Sequence, residues 1–539
     1  MIVLFLLLFF ILFFDPEYIL LKTKGAIFMN SSKDNVGYFY GMPVYEGRLS
    51  TDLSSDFTLP DYQSEIRRLL CIRAQAVPES EFLGMGNAEL SGKIIYKVMY
   101  VGADGKLYSV SLSENYTFSL PFELGSHTVS ADDVTVFSTV SSDNASARVL
   151  GPRKLNVKCK VICRALALTP MLYTPARLGG VPSGAMEELL LNTESISAQK
   201  YSLDPLTLSD KAPLDPSADN ARVVACEHSV QINDSSASGG RINVSGEVIL
   251  KILYCNDAES EHPICITRRI PFSQSAYCEG SNTECDILAK AFVTDEQIFV
   301  DESGINAELT LALVAELQKN EITTYVADAY STGLYTEGVF SEISVMSALK
   351  PVSANLTQSE MHALDEIKLP HDIKIIDVFA SARASEVSRV EGDRLTLAGE
   401  CVYQVLYYHN DEYLVKELCV PYKYDLDSRY KASAEDYLLC IPSVCVTSAR
   451  ARHDGDRMFT DCELSISVDM QRSSQAKILS EIICGERIDK DDGAITLCYP
   501  SKGENLWSVA KRYAEPLNKI RSQNAINDGD ISKKTFLII

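Results

Sequence analysis

No Cys-x-x-Cys pair occurs among the 15 cysteines of this 539-residue chain, so neither a zinc ribbon nor a thioredoxin-like site is expected. Cys159, Cys163, Cys401, Cys419, Cys440 and Cys445 stand singly in apolar, strand-like runs. They read as buried small hydrophobes in a reducing compartment, and the odd count leaves at least one thiol unpaired within the chain. Histidine is scarce. His127, His228, His262, His362, His371, His409 and His453 include no close pair at metal-ligand spacing and read as surface residues. HExxH, GxSxG and P-loop signatures are absent, and Gly86 to Lys93 has the glycines and lysine at the wrong spacing. Two acidic pairs, Asp132-Asp133 and Asp491-Asp492, read as turns, because a glycosidase dyad is placed by fold rather than by adjacency. The chain is therefore expected not to be an enzyme and to need no cofactor or metal.

Positive charge is also short. The formal net charge is −23 with no dense Lys/Arg run, so a nucleic-acid partner is not expected. The apolar run Ile2 to Phe14 falls short of the ~20 residues that cross a bilayer. It lacks the basic n-region and small-residue cleavage site of a signal peptide. Two readings of residues 1–28 stay open. They come from an over-extended reading frame with Met29 as the start, or they are an anchor or export segment. Membrane contact is expected only if residues 2–14 are an anchor. With 46% hydrophobic and 23% charged residues, the rest is ordinary globular material. Its length allows three to five domains at roughly 100–200 residues each.

What the chain does contain is a repeat. GKIIYKVMY (Gly92 to Tyr100), GEVILKILY (Gly246 to Tyr254) and GECVYQVLY (Gly399 to Tyr407) share a Gly, an apolar β-branched run and a Tyr in one register. The glycines are 154 and then 153 residues apart, a spacing that chance likeness between strands would not keep. The three tyrosines therefore read as core. Leu59-Pro60 and Leu369-Pro370 precede two of these strands, with a weaker Leu214-Asp215-Pro216 before the other. Polar turns follow each Tyr, and then apolar strands with Pro121, Pro271 and Pro421. Each unit closes on alternating residues: LNVKCKVICRALAL, INAELTLALVAEL and FTDCELSISVDM. The expected fold is mainly β: three tandem sandwich-like repeats over residues 50–175, 195–340 and 356–485. Ala185 to Leu191 reads as a short helix between the first two, and Ser341 to Ser359, with Pro351, as a linker between the last two.

The texture changes in residues 495–539, which read as strand, helix, helix, strand. Leu506, Val509, Ala510 and Tyr513 have helical spacing behind a possible N-cap, Asn505. Pro516 suits the first turn of a second helix with Leu517, Ile520 and Asn524. Trp507, the single tryptophan, reads as a core residue of a segment near the lower size limit for folding. The segment Gly503-Glu504-Asn505-Leu506-Trp507-Ser508-Val509-Ala510-Lys511-Arg512-Tyr513, with Ile520 and Asn524, resembles a LysM domain. The resemblance implies a βααβ fold that binds N-acetylglucosamine-containing glycans. The implied groove is lined by Gly503, Glu504, Asn505, Leu506 and Trp507 on one side and Ile526, Asn527, Asp528, Gly529 and Asp530 on the other. The chain departs from the usual Gly-Gln ending with Ser532-Lys533-Lys534, which favours a protein partner at least as much as a sugar.

The triple repeat followed by such a segment resembles the SipL-type spore-coat morphogenetic family, with tandem SipL/SPOCS-like repeats and a terminal LysM. The resemblance implies a scaffold or adaptor in spore envelope assembly, in the mother-cell cytoplasm at the forespore surface. Its implied partner is the coat-basement ATPase, docked through the LysM region. The alternative is a peptidoglycan or cortex glycan binder of the cell envelope.

Overall fold

The computed structural model describes residues 37–84, 86–123, 133–173, 186–214, 221–256, 262–301, 304–390, 394–426, 437–489, 495–526, 531 and 535–539. Several features read from the sequence lie outside them: residues 1–28 and Met29, His127, Asp132, Asp215-Pro216, Asp491-Asp492 and Ser532 to Lys534.

The described chain is mainly β. Six strands come first: β1 (Gly37–Thr58), β2 (Ile66–Leu83), β3 (Asn87–Gly102), β4 (Leu107–Pro121), β5 (Thr135–Gly151) and β6 (Lys154–Tyr173). β2-β3-β4 form an antiparallel meander, and β1-β6-β5 form a second sheet with β6 in its centre. Alternation along β6 explains the pairing of the two sheets. Leu155, Val157, Cys159, Val161, Cys163, Ala165 and Ala167 point inward and share one core with Ile94, Tyr96, Val98 and Tyr100 of β3.

The same order of pairings recurs twice. β9 (Ala221–Ser238), β10 (Arg241–Asn256) and β11 (Ile264–Tyr277) make a meander, while β12 (Asp286–Asp301), β13 (Gly304–Ser331) and the broken strand β7 (Met186–Ser202) with β8 (Leu206–Ala212) make the facing sheet. Next, β15 (Lys374–Val390), β16 (Arg394–His409) and β17 (Glu412–Leu426) face β14 (Leu334–Ala363), β19 (Arg457–Arg487) and β18 (Tyr437–Asp454). Each pair of sheets encloses its own core, and Tyr100, Tyr254 and Tyr407 are each buried in one.

Two local expectations are corrected. The stretch expected as a helix from Ala185 is strand from Met186 onward, because β7 pairs with β13 along its length, and that pairing outweighs the helix preference of Met-Glu-Glu-Leu. Ser341 to Ser359 is no linker. It is the middle of β14, paired with β19, and Pro351 sits in the register shift between Leu349 and Val352 where no ladder donor is needed. The first strands thus start at Gly37, Met186 and Leu334, upstream of the ranges read from the sequence.

Gly92, Gly246 and Gly399 have a common physical cause. Each lies on a central strand opposite a register shift, at Pro78/Ser80, at its own step Ser245/Gly246 and at Ala384/Glu386. A Cβ would meet the carbonyl oxygen of Val77, Gln231 or Arg383 at 2.4, 2.2 or 2.3 Å. On the other neighbouring strand Tyr116, Phe272 and Tyr422 stand directly opposite the glycines and lay their rings over them. The prolines follow this register only in part. Pro271 and Pro421 pair with the residue after the glycine, whereas Pro121 pairs with Asn87 at the strand end.

The three units close on one another. Lys97 of β3 donates to the Cys226 carbonyl of β9 at 2.8 Å, Lys251 of β10 to the Val378 carbonyl of β15, and Gln404 Nε2 of β16 to the Ile72 carbonyl of β2 at 3.2 Å. The donors hold one strand position, five residues after the recurrent glycine, so the contacts run first to second to third and back to first. Beside the acceptors stand Arg73, Glu227 and Phe379. Arg73 pairs with Glu227, and its guanidinium lies 4.1 Å from the Phe379 ring centre. His228 is not at the surface: its side chain is 1% exposed, with Nδ1 3.0 Å from Glu296. Burial raises the Glu296 pKa, but the His228 hydrogen bond and the Lys97 charge outweigh it and hold the carboxyl at about 2.

Elsewhere between units two and three, Glu316 of β13 and Asp469 of β19 are both buried, with Lys290 bonded to Glu316 at 2.9 and 3.0 Å. Burial, then the Glu316 charge, pushes Asp469 up to about 6, against weaker lowering by Lys290, Gln318 and Gln471. The folded state therefore binds a proton that the unfolded chain has released. Its stability contribution is full below the ordinary value near 3.8 and is lost as pH rises through about 6. Asp469→Asn should raise the melting temperature at pH 7.5, by a stabilisation on the order of 3 kcal/mol, and change it far less at pH 4. Equal shifts at both pH values in calorimetry would contradict this account.

Candidate partner-binding site

The C-terminal segment contains β20 (Leu497–Cys498), α1 (Leu506–Tyr513), α2 (Leu517–Gln523) and β21 (Leu537–Ile538), with β20 antiparallel to β21. Gly503, at φ +84°, turns the chain into α1 in a conformation that side chains disfavour. Asn505 then caps the helix: its Oδ1 accepts from the Ser508 N–H at 2.8 Å. Glu504 accepts from the Ser501 N–H at 2.9 Å and pairs with Arg512. The Ser501 N–H is the largest influence lowering the Glu504 carboxyl pKa, followed by the opposing effect of burial and then the Arg512 contact. Asn524 ties α2 to the last strand, donating to the Ile538 carbonyl and accepting from its N–H, both at 2.7 Å.

The residues expected to line a groove have different surroundings. Leu506 and Ile526 are buried in the small core with Cys498, Val509, Ala510, Ile520, Ile531 and Leu537. Gly503 and Asn505 are exposed, with Glu504 half-buried between them. Asn527, Asp528, Gly529 and Asp530 lie outside the described residues.

Trp507 is half-buried and faces another part of the chain. Its Nε1 donates to Asp328 Oδ2 at 2.8 Å, and its ring meets Tyr330 edge-on at 5.0 Å. Lys511, one helical turn on, pairs with Asp328 Oδ1 at 2.6 Å, and the Tyr330 hydroxyl donates to the Glu515 carbonyl at 2.7 Å. Asp328 and Tyr330 follow a bulge in β13 between Val326 and Asp328, a device that re-aims side chains. Tyr330 consequently belongs to the small C-terminal core. The sequence carried little sign of this contact: one acid and one tyrosine in the extension of an alternating strand. On the outer side of β20 and β21, Ile495, Leu497, Tyr499 and Phe536 are exposed.

Among the described residues, no three His, Cys, Asp or Glu side chains gather where they could hold a metal ion. Nor is any helix among them long and apolar enough to cross a membrane.

Residues 219–300 match the family model described as SipL, SPOCS domain. The matched segment runs from the start of β9 almost to the end of β12, so it contains the second meander and one edge strand, β12, of its facing sheet. No curated protein and no solved structure matches the chain.

Proposed function

We propose that the protein is a non-enzymatic scaffold of the spore envelope, built from three copies of one β-sandwich domain and a terminal LysM-type module that docks a coat morphogenetic protein. The observation that carries this reading is the SipL, SPOCS match at residues 219–300, which points to sporulation. The recurrence of the same strand order, glycine and covering aromatic on either side supports three copies of that domain. A large β surface with cores filled by side chains suits binding rather than turnover. The exposed end of the C-terminal module, where Gly503 and Asn505 face solvent, remains free for a partner when Trp507 is docked on Asp328. The partner proposed is the coat-basement ATPase, met at the forespore surface in the mother cell.

Affinity capture from sporulating cells, with and without residues 495–539, tests this. The full chain should retain the ATPase, and the truncated chain should lose at least nine-tenths of it. Equal capture by both would move the binding surface to the sheets. Retention on purified peptidoglycan without any ATPase would replace the adaptor by a glycan binder.

A further inference from the structure

In the third unit, Cys401 of β16 and Cys462 of β19 meet across the core with their sulfurs 3.7 Å apart. They come from the central strands of two facing sheets, and both are buried. Their counterparts, two residues after the recurrent glycine and at the equivalent step of the closing strand, are Ile94 and Cys159 in the first unit and Val248 and Leu309 in the second. Only the third unit therefore has thiols at both positions. A disulfide has sulfurs about 2.05 Å apart, so closing the bond asks for an approach of roughly 1.6 Å. We propose that Cys401 and Cys462 are an oxidation site that forms a disulfide pinning the two sheets of the third unit together.

The oxidant is a low-molecular-weight disulfide acting before the core has closed. One thiol loses its proton and attacks this disulfide, releasing half of it as a thiol and leaving a mixed disulfide. The second cysteine, as thiolate, then displaces the other half. Two protons and two electrons leave the protein and appear in the two released thiols. The bond closes a loop from residue 401 to 462 through β17 and β18, and a loop of that length restrains the unfolded chain strongly.

Cell-free synthesis of the full chain in oxidised and reduced glutathione, followed by alkylation, digestion and mass spectrometry, tests the site. The expected result is a Cys401–Cys462 linked peptide pair, two fewer alkylated thiols than in fully reduced chain, and a higher melting temperature. Cys401→Val, which copies Val248, should fold and lose both the link and the melting shift. Alkylation is done after unfolding the sample in denaturant, and the idea is overturned if Cys401 and Cys462 of the oxidised chain are then alkylated, or if either pairs with another cysteine. The peptide map of the unaltered chain decides this even if the variant fails to fold.

Discussion

Gly246→Ala should leave the second unit unfolded at temperatures where the unaltered chain is intact. The new methyl would sit 2.2 Å from the Gln231 carbonyl oxygen and 2.8 Å from the Phe272 ring. The ring can swing aside. The carbonyl belongs to the neighbouring strand at a register shift, so relief requires the backbone of β9 to move. Overpacking of this kind typically costs about 1–3 kcal/mol, and a contact with backbone puts the substitution at the upper end. Gly399→Ala meets the Arg383 carbonyl at 2.3 Å and should act similarly on the third unit. Limited proteolysis during a temperature ramp would follow each unit separately, which matters because a chain of three cores need not melt in one step. Cleavage within residues 221–301 at an unchanged temperature would contradict the close-contact account. Phe272→Ala should damage the same unit by a different route, uncovering the glycine strand and removing buried aromatic area.

The second large effect concerns the junction with the C-terminal segment. Asp328→Ala removes the acceptor of the Trp507 N–H and the partner of Lys511 in one change. A hydrogen bond to a charged group contributes about 1.5–3 kcal/mol. The ion pair adds less, because Lys511 is one-third exposed. The docked state should therefore lose roughly tenfold to a hundredfold in population relative to the undocked one. With one tryptophan in the chain, fluorescence excited at the red edge of the tryptophan band, away from the tyrosines, reports on this contact. The emission should move to longer wavelength, and acrylamide should quench it more steeply. Protease should also release the segment by cutting near residues 488–496. Unchanged emission and quenching would show that the aromatic contact with Tyr330 suffices without the acid.

The parts of this fold legible from sequence are those whose cause is local. The run from Gly92 to Tyr100 and its two counterparts could be read because a glycine forced by a close carbonyl, a β-branched run and a buried tyrosine all fall within nine residues. The helix α1 was legible for the same reason, through the Asn505 cap and the spacing of Leu506, Val509 and Ala510. The edge strands were not. β7 and β14 take their ladder partners from β13 and β19, about a hundred residues or more downstream, and their own residues lean towards helix or linker. His228 was misplaced because its local sequence is polar, whereas its side chain is enclosed beside Glu296 of β12, 68 residues on. In the C-terminal segment the structure has a strand, two helices and a strand in the order the sequence suggested, while the contacts were not legible. Nothing near Trp507 announces an acceptor 179 residues away, and a hydrogen bond between distant strands and helices leaves no periodic mark.

The closed circuit of Lys97, Lys251 and Gln404 bears on stoichiometry. Three separate subunits arranged in this way would each bring a terminal module and would be bound to identical joints. Here one polypeptide supplies all three positions, so the joints are free to differ: two are made by lysine and one by glutamine. The module at the end of the chain finds a single seat, at Asp328 and Tyr330 of the second unit. An assembly of near-threefold form thus carries one arm, seated on one side, and under the docking role proposed above a partner would be taken up once per ring rather than three times.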